Sequence, residues 1–414
     1  MAVGRNRIVA ALDVGSNKVC CFIARPDGAG GARVVGIGHQ VSRGVRSGLV
    51  TDMEAVETSI RAAVDAAERM AGDTVQRVYT NLSAGRLNSR TVSGAVAIQG
   101  HQIGDGDIRR VLAQARAQIG KADGDVLHAL PIGHVVDGSR GIQDPRGMHG
   151  ERLGIDLHVL SAAPGPLRNL KTAIQHGHLE VEDFAFSAYA SGLSALVSDE
   201  MDLGVTLVEM GAGTTGIAVF YEGALVFADS IGVGGGHVTN DIARGLSTPA
   251  NHAERMKTLY GSAIPGPADE REMVTVPQVG ETGGDAIQQV PKSILIGIIQ
   301  PRIEETLELV RDRLAASSYA RMAGRRLVLT GGASQLTGVR ELAARILDKQ
   351  VRIGRPLRLQ GLAEATEGPA FATCAGLLSY AIRRPDEARG AGDGIGGAEG
   401  GRLSRVGRWL KENF

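Results

Sequence analysis

Cysteine is nearly absent. Only Cys20, Cys21 and Cys374 occur among 414 residues. Adjacent residues of a strand point to opposite faces, and one distant third thiol completes neither a disulfide framework nor a metal set. The expected state is three reduced thiols packed as small apolar groups. A surplus of charge is missing too: Lys plus Arg and Asp plus Glu are 45 each. No global field therefore draws the chain to nucleic acid or membranes, and any such binding has to come from a local patch. No segment reaches the ~20 apolar residues of a membrane span. The first seven residues, MAVGRNR, run straight into a strand-like segment without the pattern of a signal peptide. A cytoplasmic protein is expected unless something tethers it. At 414 residues the chain is too long for one core, so two or more lobes are expected.

Glycine, by contrast, is abundant, and three glycine-punctuated segments carry the most information. They are Asp13-Val14-Gly15-Ser16-Asn17-Lys18, Glu209-Met210-Gly211-Ala212-Gly213-Thr214-Thr215 and Thr330-Gly331-Gly332-Ala333-Ser334. The first two each follow an apolar strand-like run, carry one carboxylate at its end, and turn through glycine and a hydroxyl residue into another apolar run. Two hairpins gripping one polyphosphate would have this form. Glycines let backbone N–H groups approach phosphate oxygens, hydroxyls donate further bonds, and Asp13 and Glu209 can hold Mg²⁺ directly or through water. The third segment opens a helix expected at 335–347. Two distant hairpins followed by such a turn resemble the actin, sugar-kinase and heat-shock-chaperone ATPase superfamily, which implies an α/β, two-lobed fold.

Along the chain, strands are expected at 8–12, 19–24, 32–38 and 75–81, with a helix over Met53–Ala71. From 83 to about 160 the texture changes to short strands (91–98 and 153–159) around a basic helix at 107–119, which reads as an inserted subdomain. Helices are expected at 166–176, 185–199, 293–318 and 369–383, and a strand at 326–329. The run Gly234-Gly235-Gly236 announces another helix, with Thr239 or Asn240 available to cap its free amides. Between 249 and 289 the pattern is charge-rich helical pieces and Pro/Gly-rich turns.

Residues 385–401 are dominated by glycine, without periodicity, and read as a flexible tether. Beyond it, Leu403, Val406, Leu410 and Phe414 form one helical stripe with Trp409, the only tryptophan, beside it, and Arg405 and Arg408 lie near or opposite its flanks. A helix this short needs a surface on which to fold, and anionic lipid offers both an apolar bed and countercharge. One such helix binds weakly, so durable attachment favours self-association.

With the tail added, the chain resembles the FtsA family, bacterial actin homologues that anchor FtsZ to the membrane in cell division. The stretches that carry the resemblance are Asp13 to Lys18, the run HVTNDIARGLSTP at 237–249, AERMK at 253–257, 328–333 and the terminal RWLKENF. The resemblance implies an actin-like two-lobed ATPase fold in which a 1C-type insertion replaces one actin subdomain. Mapped here, the first-lobe core is 1–83 and 163–199, the insertion 84–162, the second-lobe core 200–245 and 320–360, its smaller subdomain 246–319, the return to the first lobe 361–384, the linker 385–401 and the membrane-targeting helix 402–414. It implies ATP and Mg²⁺ as ligands. Asp13, Gly15, Ser16, Asn17 and Lys18 would form the first phosphate loop, and Gly211, Gly213, Thr214 and Thr215 the second. Gly234, Gly235 and Gly236 would lie near the phosphates, and Glu254, Lys257, Gly331, Gly332 and Ser334 would flank ribose and adenine.

Two departures from the family pattern matter. Glu209 stands where Asp is usual, and Ala212 replaces a glycine. A side chain one methylene longer shifts metal and water, and near-attack geometry tolerates little error, so ATP binding with slow or negligible hydrolysis is expected. The family docks the FtsZ C-terminal peptide on the subdomain matching 246–319, with Arg302 and Glu304 as the matching residues. A guanidinium suits a peptide carboxylate. The expected partners are thus FtsZ, further copies of the chain, later division proteins through the insertion, and anionic lipid on the cytoplasmic face of the inner membrane. Two other readings stand beside this one: an enzyme of the same fold (a sugar kinase or polyphosphate-type phosphatase) and another actin-like scaffold.

Overall fold

The computed structural model describes residues 8–27, 31–120, 124–280, 287–319, 322–357 and 359–383. The linker and terminal helix expected at 385–414 lie outside the described residues, with Leu403, Arg405, Val406, Arg408, Trp409, Leu410 and Phe414.

The chain opens with an antiparallel meander, β1 (Val9–Val14), β2 (Lys18–Pro26) and β3 (Ala32–Val41). A small ribbon, β4 (Val45–Arg46) with β5 (Leu49–Val50), leads into α1 (Met53–Ala71), whose bounds match those read from its apolar spacing. The match has a local cause. Asp52 accepts the Ala55 N–H at the N-cap, Gly72 closes the other end in the left-handed conformation, and Val56, Ile60, Val64 and Ala67 face the sheet. β6 (Arg77–Leu82) then adds parallel to β1.

The next segment builds its own sheet from β7 (Asn88–Ala97), α2 (Asp105–Ala117), β8 (Asp125–Val136), β9 (Ser139–Ile142) and β10 (Arg152–Ala162), in the order β7-β10-β8-β9. Leu153, Ile155, Leu157 and Val159 of β10 share a core with Ile108, Val111 and Leu112 of α2. Leu160 and Ala162 instead join the first-lobe core. The sheet is therefore covered on both faces, and Ser89 Oγ accepts the Ala228 N–H of the second lobe at 3.2 Å.

α3 (Pro164–His176) returns to the first lobe, and β11 (Glu180–Phe186) completes its sheet in the order β11-β6-β1-β2-β3. This corrects the single helix expected at 185–199. Val181, Phe184 and Phe186 sit in a strand paired with β6, and the remainder divides into α4 (Ser187–Ala195) and α5 (Ser198–Leu203) because Leu196 and Val197 are extended.

The second lobe repeats the first. β12 (Val205–Met210), β13 (Thr215–Tyr221) and β14 (Ala224–Ile231) form the meander, followed by α6 (Gly235–Gly245), α7 (Ala250–Tyr260), the hairpin β15 (Met273–Pro277) and β16 (Ile287–Pro291), α8 (Lys292–Ala316), β17 (Arg326–Thr330), α9 (Val339–Leu347) and β18 (Gln350–Ile353). Its sheet order, β14-β13-β12-β17-β18, is that of the first sheet strand for strand. α10 (Ala372–Arg383) crosses back to pack on β1, β2 and α4.

Two further expectations are corrected. The helix expected at 335–347 is a 3₁₀ turn over Gly332–Gln335 and then α9, separated by Gly338 at φ +78. The cap of α6 is Gly234, whose N–H is accepted by His237 Nδ1 at 3.1 Å, and Thr239 lies inside the helix.

Candidate functional site

The duplicated sheets bring two equivalent hairpins to the floor of one cleft. In each, a glycine N–H after the first strand closes the turn: Gly15 donates to Lys18 O at 3.0 Å and Gly211 to Thr214 O at 2.9 Å. Asp13 pairs in register with Cys20 and Glu209 with Gly216, each one residue before its strand ends. The two carboxylates thus occupy the same position in the two halves of the molecule. The hairpin tips nearly touch, since a Cβ on Gly213 would overlap Ser16 and lie 2.9 Å from Ser47 Cα. Ser16 Oγ in turn accepts the Gly48 N–H at 3.0 Å.

Both carboxylates are buried. Burial pushes Asp13 up to about 6, partly offset by the Lys18 ammonium. Glu209 is pushed up to about 8 by burial and then by the charge of Asp13, again partly offset by Lys18. Two desolvated carboxylates aimed at one space, with a single lysine for compensation, suit a small divalent cation. Among the described residues no group of three or more His, Cys, Asp and Glu side chains comes together. In number and type the carboxylates of Asp13 and Glu209 suit Mg²⁺, which takes one or two carboxylates and completes its shell with water and phosphate.

The cleft has a volume of about 470 Å³, within the usual range for small-molecule sites. Its back wall explains the remaining glycines. Gly235 donates its N–H to Gly211 O at 2.9 Å and Gly236 to Ala212 O at 2.8 Å, which docks the start of α6 onto the second hairpin. A Cβ on Gly234 would lie 2.8 Å from Ala212 C. Gly331 has φ +85, and a Cβ there would fall 2.5 Å from Met210 O, so this position requires glycine on both counts. At the opposite end Lys257 Nζ bonds Gly235 O (3.1 Å), Thr239 Oγ1 (2.8 Å) and Glu254 (2.6 Å), and Thr239 also bonds Glu254. Glu254 and Lys257 are thus one half-buried network across α6 and α7 and not a solvated pair. Lys18 donates to Ala370 O, and its ammonium lies 3.5 Å from the centre of the Phe371 ring.

Comparison with known proteins settles the family. The profile described as "Cell division protein FtsA" matches residues 206–376, and that of the "SHS2 domain inserted in FTSA" matches 84–161. The cell division protein FtsA of Rhizobium meliloti is 48% identical over 422 residues, covering 99% of this chain and 96% of that protein. This chain belongs to the FtsA family. Its fold is actin-like, as two solved structures also show, and carries the SHS2 insertion at 84–161. The PilM–PilN type IV pilus biogenesis complex superposes with a TM-score of 0.64 at 16% identity, covering 91% of this chain and 99% of that one. MreB5 of Spiroplasma citri bound to ADP gives 0.54 at 13% identity, covering 91% and 96%.

Most of the glycine-loop residues of this FtsA family member line the cleft: Asp13, Gly15, Ser16, Asn17, Lys18, Gly211, Gly213, Thr214, Gly235, Gly236, Gly331 and Gly332, with Glu209, Glu254 and Lys257. Three sit behind the surface. Thr215 Oγ1 is spent on Val233 O (2.8 Å), Ser334 Oγ on Gly331 O (2.7 Å), and Gly234 packs against Gly211 and Ala212. Sequence reading missed Asn81, Ser187, Leu336, Phe371 and Thr373, which also line the cleft. They come from strand ends and helix starts without glycine punctuation, so no local signal marks them. Arg302 and Glu304 are on α8, away from the carboxylates. The Arg302 guanidinium is engaged with Asp241 of α6 (2.5 Å) and with Glu305, while Glu304 accepts from Gln300 at 2.8 Å. Among the described residues no helix is long and apolar enough to cross a membrane.

Proposed function

We propose that this chain is an ATP-binding, actin-like adaptor that polymerises and tethers FtsZ to the cytoplasmic face of the inner membrane at the division site. The observation that carries the reading is the pair of equivalent hairpins with Asp13 and Glu209 at matching positions over one cleft. Family membership and a fold neighbour solved with ADP support it. The loops around Gly15 and Gly211 would hold the phosphates, and Asp13 and Glu209 the accompanying Mg²⁺. Glu254 and Lys257 would take the ribose, and the Gly331–Gly332 turn the base. Ligand held between lobes stabilises the closed state through its differential affinity. Hydrolysis should be slow or negligible, because Glu209 is one methylene longer than the usual aspartate and shifts the metal and the attacking water.

Calorimetry of the purified chain with MgATP is expected to show saturable association. No heat of binding up to millimolar MgATP would overturn the nucleotide reading. Arg302 can serve an FtsZ carboxylate by exchanging its contact with Asp241 or Glu305, and later division proteins would meet the insertion. The stripe Leu403, Val406, Trp409, Leu410 and Phe414, with Arg405 and Arg408, would rest on anionic lipid. Vesicles containing anionic lipid should shift Trp409 emission to the blue, and deletion of 402–414 should abolish co-sedimentation. Undiminished sedimentation of the truncated chain would remove the tail as anchor.

A further inference from the structure

We propose that Ser187, oriented by Asn81, is a positioning residue that reports occupancy of the cleft to the helix between the lobes. The proposal rests on the nucleotide-binding reading above and adds to it. Parallel pairing of β1 with β6 is limited to Ala11–Tyr79 and Leu12–Thr80. Past that point the side chain of Asn81 takes over, accepting the Val14 N–H at 2.8 Å. A backbone N–H can only donate, so the amide oxygen of Asn81 faces Val14 and its NH₂ faces the other way. There it donates to Ser187 Oγ at 3.1 Å. Ser187 is thereby an acceptor, and among the described residues its own hydroxyl proton meets no acceptor.

Both side chains are buried, 3% exposed at Asn81 and 2% at Ser187, and both line the cleft with Asp13 and Glu209. A buried hydroxyl normally spends its donor. The group that can receive it here is an oxygen brought into the cleft: a phosphate oxygen of the nucleotide or a water in the shell of its cation. Ser187 is also the first residue of α4. α4 is locked to α10 by the Ser191–Thr373 hydroxyl pair (2.9 Å) and by Ser194 Oγ on Ala372 O (2.7 Å), and Gly192 lies against Phe220 of the second lobe. A bond made by Ser187 therefore acts at the end of the helix that joins the two lobes, while Asn81 ties the same hydroxyl to the first hairpin through Val14.

The test compares the full chain with Ser187→Ala, with Ser187→Cys, which keeps the size but weakens the donor, and with Thr58→Ala, on the exposed face of α1, as a control remote from the cleft. Affinity for MgATP and for metal-free ATP is measured together with hydrogen exchange of the 188–195 amides. Loss of one bond to a charged oxygen corresponds to roughly tenfold or more. MgATP affinity should fall by about that factor in both Ser187 variants. The extra protection that MgATP confers on α4 should disappear, with exchange before nucleotide unchanged. Thr58→Ala should keep wild-type affinity and protection. Wild-type affinity with full α4 protection in Ser187→Ala overturns the proposal, and so does faster α4 exchange before nucleotide is added, which marks a merely structural role. If the wild-type chain itself fails to bind MgATP, the nucleotide reading fails and this inference falls with it.

Discussion

Gly376→Ala should be among the most destabilising single-methyl additions in the protein. Gly376 lies in α10 where that helix crosses α4, and a Cβ built on it would overlap the Ala190 carbonyl oxygen and stand 3.1 Å from Ser191 N. The obstacle is helix backbone, which cannot rotate away as a side chain can. The three nearest atoms are all main-chain atoms of Ala190 and Ser191, and Ser191 is itself tied to Thr373 of α10 at 2.9 Å, so no flexible side chain can yield. Overpacking a tight core costs about 1–3 kcal/mol, occasionally more, and the upper end applies here. At about 2.1 cal/mol/K of unfolding entropy per residue, a chain of 414 residues shifts by roughly 1 °C per kcal/mol, so the melting temperature should fall by about 3 °C. Gly297→Ala in α8, an exposed position where an added Cβ meets nothing within 4 Å, is the matched control and should be neutral or slightly stabilising. A Gly376→Ala melting curve that overlays the wild type would refute the close crossing of α4 and α10.

Asp13→Asn should move the empty and the liganded protein in opposite directions. The folded value of Asp13, about 6, lies above its ordinary 3.8. A carboxyl raised in this way contributes fully to stability below its unfolded value, and the contribution is lost as pH rises through the folded one. At pH 7.5 the buried charge therefore weighs against folding. Asparagine removes it, and the repulsion of Glu209 goes with it. The nucleotide-free variant should melt higher than wild type at pH 7.5, and the difference should shrink as pH falls from about 6 towards 4. With MgATP the order reverses. A ligand at a hundred times its Kd adds about 2.7 kcal/mol to the folded state, and the variant, lacking one of the two carboxylates proposed to hold Mg²⁺, should lose at least about tenfold in Mg²⁺-dependent affinity. Scanning calorimetry with and without MgATP at the two pH values reads both effects. A variant that melts no higher when empty and keeps the full MgATP shift would show that Asp13 is neither strained nor a ligand.

The pieces of the site visible in sequence were those with a backbone reason to be there. Gly15 and Gly211 close tight turns, and Gly331 requires a positive φ, so glycine appears wherever a side chain would obstruct. Asn81, Ser187 and Phe371 carry no such mark, because their places depend on which strand and helix ends meet. Glu254 and Lys257 illustrate the same limit. Their i, i+3 spacing alone would suit an exposed ion pair equally well, and only the approach of Thr239 and Gly235 from α6 turns them into a half-buried network. The β15–β16 hairpin and strand β11 escaped notice for a related reason, since each is stabilised by a pairing partner and not by its own periodicity.

By itself the amino-acid order determined the two-lobed actin-like class, the three glycine turns, the ends of helix α1 and the family, since turn chemistry, capping and apolar spacing act over a few residues and are written locally. Only the folded chain decided that Asp13 and Glu209 occupy equivalent positions and repel each other, that Gly234 and Thr215 stand behind the cleft surface, that Arg302 is held by Asp241, and that Ser187 keeps a donor unspent among the described residues. Burial, register and electrostatic coupling are properties of segments brought together from remote parts of the chain, and no short stretch of sequence contains them.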